Sequence, residues 1–179
     1  MKLSEKLTAT IRDIKDFPKK GIMFKDITPV LADPHLSLEV SHAFFDYWRA
    51  RDIEGVVGVE SRGFIFGMQL AQQLEVPFIP VRKAGKLPYE TISHSYQLEY
   101  GSAEMEIHVD AIKEGQRVLV HDDLLATGGT AAAAAELIQK TKGEVAGFSF
   151  LVELAFLKGH EQLEPYNKEI QSLVTFLFT

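Results

Sequence analysis

The segment VLVHDDLLATGGTAAAAAEL, residues 118–137, constrains the fold more than any other stretch of this sequence. Its start at 118–121, three apolar residues and a histidine, predicts a buried strand. The small residues at 126–130 predict a turn, and the alanine run predicts a helix ending near Gly143. That helix is expected to turn one face inward, formed by Ala133, Ala134, Leu137 and Ile138. A buried strand that leads through a turn into a helix is the unit from which parallel sheets are built.

The middle of the chain repeats this order and extends the prediction to an α/β fold. GVVGVE at 55–60 and VPFIPV at 76–81 predict strands with a helix, GFIFGMQLAQQLE, between them, so a right-handed parallel crossover is expected. EVAGFSFLVEL at 144–154 and SLVTFLF at 172–178 predict two later strands. After an irregular polar loop at 82–96, YQLEYG and AEMEIHV alternate like an inserted antiparallel hairpin.

The first third of the chain carries helical periodicity on either side of a proline-rich stretch. An N-terminal amphipathic helix is predicted, with one apolar face formed by Leu3, Leu7, Ile11 and Ile14. A second helix is predicted over about 36–51. The stretch between them, 17–34, holds three prolines and a glycine and is expected to be mostly irregular.

Composition sets the class of protein. A chain of 179 residues with 46% hydrophobic and 25% charged residues is typical of one globular domain. The net charge of −6 argues against a broad nucleic-acid surface, and no apolar run is long enough to span a membrane. The absence of cysteine excludes disulfides, thiolate metal sites and cysteine nucleophiles. A cytoplasmic location is the default expectation.

The turn in the segment 118–137 combines two opposite electrostatic features. Asp122 and Asp123 follow the predicted strand, where carboxylates could accept hydrogen bonds from vicinal hydroxyls or hold Mg²⁺. The loop Ala126–Thr130 offers glycine-dependent backbone N–H groups and a helix N-terminus, which together suit a phosphate. Both features fit the two ends of a ribose 5-phosphate. The alternative for each piece alone is a simple turn and a helix cap. No Walker lysine and no dinucleotide fingerprint is present.

VLVHDDLLATGGT resembles the phosphoribosyl pyrophosphate signature of the type I phosphoribosyltransferases, and of their adenine-using members in particular. The resemblance extends to FPKKGIMFKDITPVL, VESRGFIFG, VRKAGKLPYETISHSYQLEYG and SFLVEL. It implies one domain, residues 1–179, with a mostly parallel doubly wound sheet. A small base-binding hood would occupy about 1–34, and a flexible loop with its hairpin about 82–109. One departure is His121, where the family usually has an aliphatic residue; we assign it no role.

The same resemblance implies where phosphoribosyl pyrophosphate would bind. Asp122 and Asp123 would hold the ribose hydroxyls, and the 5-phosphate would lie on Ala126, Thr127, Gly128, Gly129 and Thr130. Pyrophosphate would be met by Ser61, Arg62 and Gly63, and by the basic loop residues Arg82, Lys83 and Lys86. Arginine suits this task because its planar fork can donate paired hydrogen bonds to phosphate oxygens. A closing loop would also keep water from the reactive ribose.

Base recognition and proton transfer are likewise implied by the resemblance. Phe24 would pack on the base, backbone groups of Met23 and Lys25 would read its edge, and Leu154 would cover the other side. Glu99 would act as the acid–base residue, with Tyr100 beside it. The family often has arginine at the position of Lys25, which matters only if the side chain contacts the base.

The implied reaction converts adenine and phosphoribosyl pyrophosphate to AMP and pyrophosphate with Mg²⁺, in a homodimer. Three alternatives remain at this point: a transferase for another base, a phosphoribosyl pyrophosphate-sensing regulator, and a catalytically silent nucleotide-binding module. The regulator is disfavoured because such proteins carry an added DNA-binding domain, whereas some twenty residues precede GIMFKD here. The silent module is disfavoured by the presence of Lys86 and Glu99.

Overall fold

A computed structural model describes residues 1–97 and 102–178, and its centre is a seven-stranded sheet. The strands are β1 (Arg12–Lys15), β2 (Met23–Asp26), β3 (Gly55–Val59), β4 (Phe78–Lys83), β5 (Thr91–Gln97), β6 (Ser102–His108), β7 (Arg117–Leu125), β8 (Glu144–Leu154) and β9 (Ile170–Phe176). The helices are α1 (Leu3–Thr10), α2 (Thr28–Ala32), α3 (Pro34–Trp48), α4 (Gly63–Leu74), α5 (Gly129–Lys140) and α6 (Gly159–Leu163), with a short 3-10 helix at Ala155–Leu157.

The large sheet has the strand order β5-β6-β4-β3-β7-β8-β9. From β4 to β9 neighbouring strands run parallel, while β6 pairs antiparallel with both β4 and β5. Apolar side chains fill both faces, with α5 in one core cluster and α1, α3 and α4 in the other. The α/β prediction is therefore confirmed, as is the inward face of α5, where all four expected residues are buried.

Strand β7 is longer than the sequence pattern indicated. It continues through Leu125 because its pairing with β8 extends beyond residue 121, through Asp122–Phe150 and Leu124–Val152 to Leu125–Glu153. Asp122 and Asp123 therefore lie inside the strand, not after its end, and the prediction of a strand limited to 118–121 is wrong. The charged residues hid this continuation, which depends on the neighbouring strand and not on local periodicity.

The N-terminal predictions are also corrected. Helix α1 ends at Thr10, and Ile14 lies in β1, opposite Phe24 of β2, instead of on the helix. The stretch at 17–34 is not mostly irregular, since it holds β2 and α2. The antiparallel β1–β2 pair supplies backbone hydrogen bonds that no periodicity within either segment reveals.

Two further boundaries differ from the pattern. Strand β5 begins at Thr91, so the expected irregular loop at 82–96 is wrong in its second half; pairing with β6 gives this polar segment its extended shape. Strand β9 starts at Ile170, two residues before the expected 172–178, because its register with β8 begins at Phe148. Within residues 1–97 and 102–178, no helix has both the length and the apolar character needed to cross a membrane.

Candidate active site

A cavity of about 200 Å³ lies where β7 leads into α5. Its lining brings together all seven residues of β7 and its loop that were expected to hold phosphoribosyl pyrophosphate, and one residue of the β3–α4 connection. The full set is Arg62, Asp122, Asp123, Leu124, Leu125, Ala126, Thr127, Gly128, Gly129, Thr130 and Ala131, of which Leu124, Leu125 and Ala131 were not predicted. This is the carboxyl edge of a parallel sheet, where ligands of such folds collect.

The two aspartates form the polar floor of this cavity. Asp123 donates its backbone N–H to Asp122 Oδ1 at 2.8 Å, and Arg62 Nε lies 2.9 Å from Asp123 Oδ2. Burial, and then the charge of Asp123, raise the pKa of Asp122 well above its ordinary value. Burial also raises the pKa of Asp123, against the opposing effect of the Arg62 guanidinium. Hydroxyl donors or a cation placed here would relieve the repulsion between the two carboxylates.

The loop at 126–130 forms the opposite side of the cavity. Gly128 adopts a left-handed backbone with φ of 87° immediately before α5. The first N–H groups of a helix have no partner within the helix, so those of α5 open toward the cavity with the positive end of its dipole. Tyr96 of β5 adds a contact, its phenol oxygen lying 3.3 Å from Thr130 Oγ1. Sequence reasoning missed Tyr96, although its place in the conspicuous YQLEYG run was a signal.

A third group of residues surrounds Glu60, at the end of β3. Its carboxylate accepts hydrogen bonds from Lys86 Nζ, from Arg82 Nη2 at 3.3 Å and from the backbone N–H of Lys83 at 2.8 Å. Burial alone would raise the pKa of Glu60, but the hydrogen bonds from Lys86, Lys83 and Arg82 outweigh it and lower the pKa to about 2. The structure thus places two of the cations expected to meet pyrophosphate, Lys86 and Arg82, on a carboxylate that sequence reasoning did not assign. Its signal was an acid directly before Ser61 and Arg62.

Phe24, which is expected to stack on the base, lies next to Arg62, which is expected to meet pyrophosphate. Phe24 contacts Phe17 edge-on, with 5.0 Å between ring centroids, and the Arg62 guanidinium lies 4.9 Å from the Phe24 centroid. Arg62 therefore reaches from Asp123 to Phe24, across the boundary between the expected sugar and base sites. Ser61 and Gly63 flank it, Gly63 as the first residue of α4.

The side chain of Lys25 faces away from the Phe24 side of β2. Its Nζ lies 2.5 Å from Asp13 Oδ1 and 3.9 Å from the centroid of Phe176. Lys25 is 6% exposed, so this amine is buried between Asp13 of β1 and Phe176 of β9. Leu154, at the end of β8, is paired in register with Phe176. Any reading of a base by Lys25 is left to its backbone.

Two predicted residues cannot be placed. Glu99 and Tyr100 lie outside the described residues, between the end of β5 and the start of β6. The proton-transfer role of Glu99 and the binding role of Tyr100 therefore stay predictions.

Comparison with known proteins gives the chain a clear set of relatives. The phosphoribosyl transferase domain model matches residues 30–177. The chain is 53% identical over 174 residues to adenine phosphoribosyltransferase of Anaeromyxobacter dehalogenans, covering 97% of this chain and 100% of that protein. A solved adenine phosphoribosyltransferase of Thermoanaerobacter pseudethanolicus superposes with a TM-score of 0.92 at 49% identity, covering 96% of this chain and 99% of that one. The Saccharomyces cerevisiae enzyme, solved with an imino-altritol bisphosphate and adenine, gives a TM-score of 0.88 at 40% identity, covering 96% and 98%.

Proposed function

The chain belongs to the phosphoribosyl transferase family, and we infer that its cavity performs the adenine-specific reaction of the relatives it matches. The reaction is a purine salvage step: adenine and phosphoribosyl pyrophosphate give AMP and pyrophosphate. A bond forms between N9 of adenine and C1 of the ribose, the bond from C1 to pyrophosphate breaks, and the N9 proton is lost. One observation carries the inference most directly, namely that the aspartate pair and the loop at 126–130 line one cavity beside Phe24.

The sugar phosphate would be held at two ends. The 5-phosphate would take hydrogen bonds from the N–H groups and threonine hydroxyls of the loop at 126–130, where the dipole of α5 favours negative charge. The ribose hydroxyls would donate to Asp122 and Asp123, which have raised pKa values because burial disfavours their charged forms. Hydrogen bonds from two fixed ribose hydroxyls would offset the repulsion between these two adjacent carboxylates.

The leaving group would be stabilised by cationic side chains that form ion pairs with carboxylates when no ligand is bound. Arg62 pairs with Asp123, and Lys86 and Arg82 pair with Glu60. Incoming pyrophosphate offers these side chains more negative charge than either carboxylate. We therefore propose that Arg62 and Lys86 move from their acidic partners to the pyrophosphate, with Arg82 and Lys83 nearby. Electrostatic stabilisation of the departing group is the main catalytic effect.

Base recognition follows from the hood. Phe24 would stack on adenine, with Leu154 on the other side, and backbone groups of Met23 and Lys25 would pair with N1 and the N6 amine. A 6-oxopurine reverses the donor and acceptor at these positions and would leave buried groups unpaired. Since the Lys25 side chain is committed to Asp13 and Phe176, the usual arginine is not needed for this reading. Glu99 would accept the purine proton.

Magnesium is proposed as the cofactor. Among the described residues no cluster of three or more His, Cys, Asp or Glu side chains could hold a metal alone. The Asp122–Asp123 pair nevertheless fits Mg²⁺, which keeps several waters and is commonly bound through one or two carboxylates plus substrate oxygens. When bound, the ion would neutralise charge on pyrophosphate; the aspartates would position it directly or through water.

We also propose a homodimer and a cytoplasmic location. The dimer is expected from the resemblance to the family, and exposed apolar side chains on neighbouring helices give it a candidate surface: Leu38 on α3, and Ile65 and Met68 on α4. The cytoplasmic location is supported by a composition ordinary for a globular protein.

The deciding measurement is product formation from phosphoribosyl pyrophosphate and Mg²⁺ with adenine, hypoxanthine, guanine, xanthine or orotate. We expect AMP from adenine and no turnover with the other bases. Turnover with another base would preserve the sugar-phosphate site but overturn the base assignment. Binding of phosphoribosyl pyrophosphate without turnover of any base would favour the sensing regulator.

A further inference from the structure

The loop at 126–130 is supported on one side by a helix of only five residues, α6. A Cβ added at Gly128 would lie 2.7 Å from the carbonyl oxygen of Gly159, the first residue of α6. A Cβ added at Gly159 would lie 2.5 Å from the carbonyl oxygen of Ala126 and 2.7 Å from Leu125 Cδ1. The backbones of the loop and of α6 are thus in direct contact, so a shift of α6 displaces the loop.

Helix α6 is too short to hold this position by its own hydrogen bonds. Its second residue, His160, is tied instead to the sheet: His160 Nδ1 lies 2.5 Å from Glu153 Oε1. Because a carboxylate only accepts, Nδ1 is the donor. Glu153 lies on β8, in register with Leu125 at the end of β7, directly before the loop. The side chain of Glu153 is 11% exposed, so it is held firmly by packing.

We propose that Glu153 and His160, here called the Glu153–His160 clamp, position the loop that binds the 5-phosphate. The clamp fixes the first turn of α6 to β8, and α6 in turn holds Gly128 in the backbone conformation that opens the loop N–H groups to the cavity. Neither side chain lines that cavity. They are positioning residues, and their assignment to the 5-phosphate rests on the proposed function.

If the clamp positions the loop, its loss should weaken the binding of 5-phosphate ligands but not of adenine, whereas loss of a merely structural contact should weaken both. Loss of the His160 side chain leaves Glu153 without its donor and frees α6, so ligands bearing a 5-phosphate should bind less tightly. Adenine is proposed to bind at Phe24 on β2, whereas the close backbone approach of α6, at Gly159, is to Ala126 and Leu125, so adenine binding should not change. Leu154 is the neighbour of Glu153, however, and a general distortion of β8 would weaken adenine binding as well.

The test compares four variants with the wild type by calorimetric binding of ribose 5-phosphate and by steady-state kinetics. His160→Ala should raise the Kd for ribose 5-phosphate and the KM for phosphoribosyl pyrophosphate roughly tenfold, the typical effect of an unpaired buried polar group. The KM for adenine and kcat should not change. His160→Asn keeps a donor near the position of Nδ1 and should restore binding, whereas His160→Gln places its amide elsewhere and should not. Glu161→Gln, which removes the exposed partner of Lys158 on the same helix, is the matched control and should behave as wild type.

The contrast between Asn and Gln at position 160 keeps the test decisive if His160→Ala is poorly folded. Wild-type affinity for ribose 5-phosphate in both His160→Ala and His160→Gln would overturn the clamp. So would an equal rise in the KM values for adenine and phosphoribosyl pyrophosphate. If the wild type made no AMP while His160→Ala still lost ribose 5-phosphate affinity, the clamp would stand and the proposed reaction would fail.

Discussion

Glu60 shows how one buried carboxylate organises the cations of the free site. It holds Lys86 and Arg82 beside the place expected for pyrophosphate, and its side chain is 7% exposed. Its pKa is lowered to about 2 by hydrogen bonds that outweigh the effect of burial. The charged form is therefore favoured in the folded protein, and Glu60 adds stability above pH 4.5 that is lost progressively as the pH falls toward about 2.

We predict that Glu60→Gln lowers the free energy of unfolding at pH 7 by about 1–2 kcal/mol, since charge-assisted hydrogen bonds are lost. The difference from wild type should shrink below pH 4.5, because the unfolded wild-type chain binds a proton at Glu60 there while the folded carboxylate, with its pKa of about 2, stays charged. Urea denaturation between pH 7 and pH 3.5 measures it. Glu114→Gln removes an exposed ion pair with Lys142 and should change stability little at any pH. A constant difference across the whole range would contradict the assignment.

His121 replaces the aliphatic residue usual in the family, and it lowers the stability of the fold at acid pH. It is fully buried in β7, with Nδ1 3.2 Å from Ser149 Oγ, and Nε2 has no hydrogen-bond partner among the described residues. Burial lowers its pKa to about 3. Below pH 6.5 His121 binds a proton in the unfolded chain but stays neutral in the folded protein. Stability therefore falls as the pH drops from 6.5 toward 3.

We predict that His121→Val removes this acid sensitivity. Valine restores the aliphatic character usual in the family. The free energy of unfolding of the variant minus that of wild type should be about 2 kcal/mol larger at pH 5 than at pH 7. Any cost from leaving Ser149 unpartnered does not depend on pH and cancels in this comparison. Urea denaturation at the two pH values measures it, with the exposed His42→Val as control. If the free energy of unfolding changed equally with pH in wild type and His121→Val, the burial argument would be contradicted.

At the scale of elements, the loop before α5 depends on a close approach between two backbones. Gly128→Ala would meet both a left-handed φ of 87° and the carbonyl oxygen of Gly159. We predict that phosphoribosyl pyrophosphate binding weakens by about 100-fold or more, because a loop displaced by an ångström loses several charge-assisted hydrogen bonds together.

Gly115→Ala is the matched control for Gly128→Ala. Gly115 also has a left-handed φ, of 76°, but a Cβ there meets no atom within 4 Å in the part of the chain that the structure describes. Both variants pay the same type of backbone cost, about 1 kcal/mol, in unfolding experiments. Only Gly128→Ala should lose affinity for ribose 5-phosphate in a calorimetric titration. Equal affinities for the two variants would mean that the contact with Gly159 does not set the loop.

The elements that local patterns predicted well are those whose signal is contained in their own residues. Helix α5 has an alanine-rich inward face that is independent of its neighbours, and β3 is a short apolar run. The β1–β2 pair and the start of β5 were missed because polar residues such as Arg12, Asp13 and Ser93 become extended only through a partner strand. The continuation of β7 through Asp122 and Asp123 has the same cause.

At the scale of the whole molecule, the sequence predicted which segments meet but not how their charges are paired. The resemblance assigned Arg62, Lys86 and the aspartates to one ligand, and Arg62 and the aspartates do line one cavity. It did not reveal that Glu60 holds the loop cations or that Arg62 links Asp123 to Phe24. Those pairings join residues far apart in the chain, and their geometry depends on side-chain packing that no local spacing encodes.

The candidate dimer surface can be tested at this same scale. Leu38 is 53% exposed and Met68 43% exposed, and both lie on the packed pair α3–α4, whose shared groove of about 610 Å³ is lined by Leu38, Gln69 and Gln72 among others. A charge buried in an apolar interface lacks a partner and opposes association. We predict that Met68→Glu shifts the protein from dimer to monomer in light scattering at micromolar concentration. Val109→Glu, a similarly exposed apolar position on the segment after β6, should leave the mass unchanged. A monomeric wild type would contradict the proposed dimer, because the α3–α4 surface would then have no covering partner. A Met68→Glu variant that remains dimeric would mean that the interface lies on another surface.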